Sequence, residues 1–279
     1  MGSLDNRVAI VTGGAMGIGG ASARKLAADG ARVLIADVNL PAAAENAARI
    51  RAGGGTAEVM EVDVARTEQI SGMIERAVEL WGRLDFLVNN AWSSNGPDGS
   101  ALTLSEAAWD HAMSSVLKSI FLGARYAAPY MEKQGGGAIV SISSVHGLLV
   151  APGKMAYEVN KAGVIALTRQ MATDLGPLGI RVNAICPGHI ITERMQERFW
   201  DHNPTLRPFF EAQYPIRRTG RPDDIANAVR FLCSEEASFI TGVALPVDGG
   251  LTIQFQEDLG LSLARLVRAH PEIALPEER

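Results

Sequence analysis

The stretch Arg7-Val8-Ala9-Ile10-Val11-Thr12-Gly13-Gly14-Ala15-Met16-Gly17-Ile18-Gly19-Gly20 decides the fold. Val8 to Val11 is an unbroken apolar run, which reads as a strand buried on both faces rather than an alternating, half-exposed one. The glycines at 13, 14, 17, 19 and 20 permit a tight turn directly after it. Ala21 to Asp29 then has helical composition and stops at Gly30. Arg32 to Asp37, with Val33-Leu34-Ile35-Ala36 at its centre, is a second buried strand. Strand, glycine turn, helix and strand in about thirty residues make a βαβ unit, whose strands run parallel.

The alternation continues along the chain. Helices are predicted over 42–52, 68–81, 105–133, 156–176 and 223–234, and strands over 57–64, 84–89, 138–142, 181–185 and 243–247. Apolar strands separated by helices specify a doubly wound parallel sheet of about seven strands with helices on both faces, an α/β fold of the Rossmann type. No composition shift marks a linker and no repeat has a solenoid period. Residues 1–252 therefore read as one domain and 253–279 as a C-terminal extension. In the extension, Leu259, Leu261, Leu263, Leu266 and Val267 lie among charges as on an amphipathic helix.

Composition narrows the function. The chain has 279 residues, 47% hydrophobic and 20% charged, with a net charge of −5. That length can bury a large core. The absence of a basic stripe argues against nucleic acid as a partner. No apolar run reaches membrane-spanning length, and Met1 to Asn6 lacks the pattern of a signal peptide. Cys186 and Cys233 sit in apolar contexts without metal-ligand spacing, so a reduced cytoplasmic protein without a bound metal is expected.

The glycine turn predicts a dinucleotide. It lies where a strand meets a helix N-terminus, and glycines let the backbone approach a pyrophosphate closely there. The spacing, Gly13 to Gly17 to Gly19, is G-x-x-x-G-x-G. Asp37 ends the second strand, where a carboxylate can bind both ribose hydroxyls and repel a 2′-phosphate. Positions 16 and 38, where an arginine would hold that phosphate, are Met16 and Val38. NAD is therefore expected over NADP.

Tyr157 and Lys161 form a second signal, four residues apart in a helical stretch, with Ser144 thirteen residues before the tyrosine. Residues at i and i+4 share a helix face. A nearby ammonium favours phenolate, so the tyrosine pKa is expected to fall from about 10 toward neutrality. Such a phenol can exchange a proton with an alcohol or a carbonyl, and a serine hydroxyl can hold the substrate oxygen.

In their order and spacing these features resemble the short-chain dehydrogenase/reductase family, roughly over residues 5–252. The resemblance rests on the glycine turn, Asp63-Val64, Asn89-Asn90-Ala91, Ser144, Tyr157 with Lys161, Pro187-Gly188-His189-Ile190-Ile191-Thr192, and Val247-Asp248-Gly249-Gly250. It implies an NAD-dependent oxidoreductase acting on a secondary alcohol or its ketone, with Tyr157 as acid or base, Lys161 tuning it and Ser144 binding the substrate oxygen. It implies cofactor contacts from Gly13, Met16, Gly17, Ile18, Gly19, Asp37, Val38, Asp63, Val64, Asn90, Ala91, Tyr157, Lys161, Pro187, Gly188, Ile190 and Thr192. It also implies a homotetramer, with the extension packed on a neighbouring subunit.

Two positions depart from the family pattern. Position 92 is Trp where the family has Gly. Seven residues after Trp109, where the family places an Asn that helps bind a water, stands Val116. That second departure leaves a non-catalytic NAD-binding protein as the alternative to an enzyme. The segments around Ser144 and Tyr157 are similar to those of bacterial D-3-hydroxybutyrate dehydrogenases, which implies Ser94, His146, Lys154 and Gln196 as substrate contacts. A small hydroxy acid, a sugar or polyol, and a bulkier ketone or cyclic alcohol all stay open as substrates. Residues 193–217, rich in aromatics, are expected to form a lid.

Overall fold

The computed structural model describes residues 4–93 and 96–273. Val8–Thr12 is β1, buried along its whole length. α1 (Gly17–Ala28) leaves the glycine turn and returns the chain to β2 (Arg32–Asp37). α2 (Leu40–Ala52) starts at Asn39, whose side chain accepts the Ala42 N–H, with Pro41 in the first turn. There follow β3 (Thr56–Glu61), α3 (Thr67–Trp81), stopped by Gly82 at φ +75°, and β4 (Phe86–Asn89). α4 (Glu106–Met113) runs through a π-helical turn, Ser114–Lys118, into α5 (Ser119–Lys133). β5 (Gly137–Ile142), α6 (Met155–Leu175) and β6 (Ile180–Pro187) come next. The segment after β6 holds the short α7 (Glu193–Met195) and α8 (Arg207–Ala212), and α9 (Pro222–Cys233), β7 (Ala244–Val247) and α10 (Gln256–Ala269) complete the described chain.

The seven strands form one sheet in the order β3-β2-β1-β4-β5-β6-β7, and every pairing is parallel. In the β1 register, Ile10 sits between Leu34 and Leu87. Successive strand residues face opposite sides, so Ala9 and Val11 enter a core with Leu26, Ala47 and Val229, while Val8 and Ile10 enter one with Ile74, Ile120 and Val164. Each fully buried aliphatic side chain contributes about 1.5–3 kcal/mol. The strand order reverses direction between β1 and β4, and a crevice for a ligand opens at their carboxyl ends.

Three expectations need correction. The helix expected to run unbroken over 105–133 contains the π-turn at Ser114–Lys118, where Ser119 Oγ donates to the carbonyls of both Ser115 and Val116. β3 ends at Glu61 instead of 64, because the Asp63 N–H leaves the ladder for the Gln69 side chain. β4 begins at Phe86 instead of 84. There the buried Asp85 carboxylate takes the Val8 N–H and pairs with Arg7 and Arg83, which holds its pKa below the usual carboxylate value. The extension does form a helix, and Leu266 and Ile273 pack with Trp200 and Leu206 of the same chain. Phe255 and Leu261 stay exposed.

Candidate active site

The glycine turn forms the floor at the β1 end of the crevice. Gly13 and Gly17 have φ of +62° and +57°, a region that favours glycine. A Cβ at Gly19 would collide with the Gly13 carbonyl. Asn90, just past β4, clamps this geometry by donating to the carbonyls of Thr12 and Gly13 at 3.1 and 3.0 Å. The Asn90 and Ala91 N–H groups donate to the Thr12 hydroxyl. Asp37 lies beside the turn, accepting the Ala15 N–H on one oxygen and the Asn39 N–H on the other, both at 2.9 Å. Met16 and Val38 are exposed at its rim. Asp63 turns its carboxylate to the Ala65 N–H, and Val64 beside it is buried.

The segment after β6 folds back over this floor. Gly188 continues the β7 pairing through Val247 O, and Ile190 bridges to Gly220. Thr192 caps α7 by accepting the Met195 N–H, and its methyl carbon lies 3.2 Å from where a Gly17 Cβ would stand. Next to it, Glu193 Oε2 accepts the Gly17 N–H at 2.9 Å. A carboxylate thus rests on an amide at the N-terminus of α1, the place where a helix favours an anion.

Tyr157, Lys161 and Ser144 converge at the carboxyl ends of β5 and β6. Ser144 follows β5 in extended conformation, is buried, and accepts the His146 N–H at 3.1 Å. Lys161, one helical turn from Tyr157, is 4% exposed; its Nζ donates to Ile142 O at 2.8 Å and lies 5.6 Å from the Tyr157 ring centroid. The electrostatics differ from the sequence expectation. Burial raises the Tyr157 pKa above 10, while interaction with the Ser144 hydroxyl pulls it back and the charge of Glu158 adds to the rise. Lys161 itself is driven down to about 8 by burial, with the nearby Cys186 opposing. An expectation built on helical spacing omitted the desolvation that both groups undergo in this crevice.

Two rings flank the phenol. Trp92 and His146 each meet the Tyr157 ring edge-on, with centroids 5.3 and 5.6 Å from it. Trp92, half exposed, therefore walls the cleft. His146 is itself held by Glu158, its Nδ1 2.9 Å from Oε1. A cavity of about 270 Å³ borders the tyrosine, lined mainly by apolar groups such as Trp92, Leu104, Ala108 and Val116.

Of the four expected substrate contacts, only His146 is placed beside Tyr157. Lys154 is exposed before α6, and its charge acts on Asp98. Gln196 donates its amide to Asp201 at 2.6 Å, within the 193–217 segment. Ser94 lies outside the described residues. Among the described residues, no hydrogen bond or ring contact joins His146, Lys154 and Gln196 to one another. The segment after β6 instead gathers His189, Phe199, Trp200 and Phe210 into contact, with Trp200 Nε1 donating to His189 Nε2. Burial lowers the His189 pKa, which suits the neutral acceptor role.

Four residues escaped the sequence reading. Asp98 accepts the N–H groups of Ala156, Tyr157 and Gly99 and so caps the helix that carries the tyrosine. Glu158 holds His146, Glu193 covers Gly17, and Asn160 lines the cavity with a buried, unpartnered Oδ1. Only Asn160 had a local signal, a polar residue one position before the lysine on a helix face otherwise apolar. Among the described residues, no group of three or more His, Cys, Asp or Glu side chains could hold a metal, and no helix is long and apolar enough to cross a membrane.

Comparison with known proteins agrees with this geometry. A family described as enoyl-(acyl carrier protein) reductase matches residues 13–252. The 2-(S)-hydroxypropyl-CoM dehydrogenase 3 of Xanthobacter autotrophicus is 39% identical over 251 residues, 89% of this chain and 98% of that protein. A 3-oxoacyl-(acyl-carrier-protein) reductase of Thermotoga maritima is 35% identical over 256 residues, 90% of this chain and 99% of its own length. The crystal structure of levodione reductase superposes with a TM-score of 0.84 at 31% identity, covering 90% of this chain and 100% of that one.

Proposed function

The chain belongs to the short-chain dehydrogenase/reductase family of oxidoreductases, and from that premise we propose that it is an NAD-dependent dehydrogenase exchanging hydride between nicotinamide and a secondary alcohol or its ketone. One observation carries the reading: Tyr157, Lys161 and Ser144 meet at the end of the sheet that also bears the glycine turn. The residues fit a dinucleotide. At Gly13 and Gly19 the backbone packs so closely on Asn90 and on the Gly13 carbonyl that only glycine fits, which keeps the turn tight at the N-terminus of α1, and the Gly17 amide there already holds an anionic oxygen. NAD supplies the hydride chemistry when bound. Gly13 to Gly19 would hold its pyrophosphate and Asp37 its ribose. Ile190 and Thr192, on the segment that folds back over the turn, would hold its nicotinamide.

The protein's own groups do the rest. Ser144 would donate to the substrate oxygen and stabilise the alkoxide as it develops. Tyr157 would take the hydroxyl proton in oxidation, or give it in reduction. Lys161, its amine 5.6 Å from the ring centroid, would supply positive charge beside the phenol, while the Ser144 hydroxyl opposes the burial that disfavours phenolate. Asp37, flanked by Met16 and Val38 rather than arginine, supports NAD over NADP.

The substrate inferred is an uncharged ketone or alcohol with a bulky or cyclic apolar part. The rings of Trp92 and His146 beside Tyr157, the apolar cavity and the engagement of the Gln196 amide by Asp201 all favour it over a small hydroxy acid. A homotetramer in the cytoplasm remains part of the proposal, with Phe121 on α5 and Val159 on α6 presenting apolar surface to a partner.

The test is reduction of NAD by the purified protein with panels of cyclic alcohols, polyols and hydroxy acids. Turnover should be greatest with cyclic alcohols and fall about 10²-fold or more in Tyr157→Phe. NAD binding without turnover of any alcohol would favour the non-catalytic alternative. Equal affinity for NAD and NADP would remove the cofactor assignment, and Asp37→Ala should narrow the preference.

A further inference from the structure

Glu158 is 7% exposed, although it carries a carboxylate and directly follows Tyr157 on α6. Burying such a group is costly unless hydrogen bonds replace the water it loses. Two groups of the loop after β5 do so here. Glu158 Oε1 accepts the Ala151 N–H and lies 2.9 Å from His146 Nδ1. The carboxylate also has a cost for the site, since its charge adds to the rise of the Tyr157 pKa. A buried acid that opposes the phenolate beside it is kept for another task.

The histidine ring shows what that task is. A backbone N–H can only donate, so Glu158 Oε1 is an acceptor. His146 Nδ1 shares that oxygen and therefore carries the ring proton. In the neutral imidazole Nε2 is then bare and can only accept. Nε2 lies at the outer end of the ring, and among the described residues it makes no hydrogen bond. The side chain is one-third exposed and stands edge-on to Tyr157, its centroid 5.6 Å from the phenol ring.

We propose that Glu158 is a positioning residue that holds His146 as the Nδ1–H tautomer, so that Nε2 accepts a hydrogen bond from a hydroxyl or N–H on the substrate carbon next to the reacting one. The preferred substrate is then a cyclic vicinal diol or its hydroxyketone. The polarity is opposite to that of a carboxylate contact: a carboxylate can only accept and finds no donor at a bare Nε2. A plain cyclic alcohol leaves Nε2 without a partner. The inference rests on reading Tyr157 as the group that exchanges the substrate proton.

The experiment records ¹⁵N–¹H correlation spectra of the histidines in mildly alkaline buffer, His146 being assigned as the residue lost in His146→Gln. The parent should show His146 protonated at Nδ1 and bare at Nε2. Glu158→Leu should move the ring toward the Nε2–H form, whereas Glu158→Gln, whose amide oxygen still accepts, should keep the parent tautomer. With NADH present, so that no alcohol can react, cis-1,2-cyclohexanediol should move the Nε2 resonance further than cyclohexanol does. In turnover with NAD, the ratio of kcat/KM for the diol to that for cyclohexanol should fall about threefold to tenfold in Glu158→Leu, the worth of one hydrogen bond, mostly through KM. Glu158→Gln should retain the ratio. An Nε2–H tautomer in the parent, equal responses to diol and cyclohexanol, or an unchanged ratio in a Glu158→Leu protein whose tautomer has switched would overturn the inference. The spectra need neither turnover nor the leucine variant. A diol response at Nε2 in a protein that oxidises no alcohol would support the histidine contact and reject only the dehydrogenase reading.

Discussion

Lys161 shows at the residue scale what the site demands of the fold. The amine is almost fully buried, and burial lowers its pKa to about 8. A lysine whose folded pKa lies below its unfolded value of about 10.4 binds fewer protons when folded. Stability therefore rises with pH between those two values, and at neutral pH the charged lysine is a cost. Lys161→Met should raise the unfolding free energy at pH 7 by about 1–3 kcal/mol, the upper end being the pKa shift and the lower end allowing for the orphaned Ile142 carbonyl. The gain should shrink as denaturation is repeated toward pH 10, while activity is lost throughout. A destabilised lysine retained in the core is the mark of a group kept for function.

Glu193 carries a second prediction at this scale. Its carboxylate occupies the Gly17 amide, which the pyrophosphate of a dinucleotide would need. Glu193→Gln removes a negative charge that both competes for that amide and repels the phosphates. NAD should bind about threefold to tenfold more tightly by calorimetric titration, or roughly 0.6–1.4 kcal/mol, with most of the gain at low salt. Weaker binding in Glu193→Gln would mean that the side chain assists the cofactor instead.

At the scale of elements, α6 is the mechanical part of the site. Its first turn carries Tyr157, and its N-terminus is capped from outside by Asp98, fifty-nine residues away from Tyr157 in sequence. Three backbone N–H groups hold the Asp98 carboxylate below its ordinary pKa, although burial opposes them. With a depressed folded pKa, its stabilisation is complete above the unfolded value of about 3.9 and disappears as pH falls through the lower folded one. Asp98→Ala should cost about 1 kcal/mol, the usual worth of an N-cap. It should also lower kcat more than it raises KM, because the tyrosine loses its fixed position. The parent should lose stability below pH 4 more steeply than the variant in acid titrations.

For the whole molecule, the extension packs on the 193–217 segment of its own chain. Leu266 and Ile273 cover Trp200 and Leu206, whose cluster includes Phe199 and Phe210. Truncation after Phe255 should expose Trp200, seen as a red shift of its fluorescence, and should speed tryptic cleavage at Arg198. The Rossmann sheet does not depend on α10, so far-ultraviolet dichroism should change only by the lost helix. An unshifted Trp200 after truncation would show that the 193–217 segment holds itself together without the extension.

Much of the architecture is local information. Val8-Ala9-Ile10-Val11 can only be a doubly buried strand, the glycines after it can only turn, and repetition of that unit leaves a parallel sheet as the solution. Tyr157, Lys161 and Ser144 were equally readable, because helical spacing and a short connection bring them together. Three other features belonged to the tertiary structure. Glu193 reaches Gly17 across 176 residues, Asp98 reaches α6 from a loop, and the π-turn at Ser114–Lys118 interrupts a helix whose composition reads as continuous. The charge balance of Tyr157 and Lys161 was also decided there. Sequence spacing records how near two groups can come, whereas desolvation depends on everything that closes around them, and that is assembled only when distant segments pack.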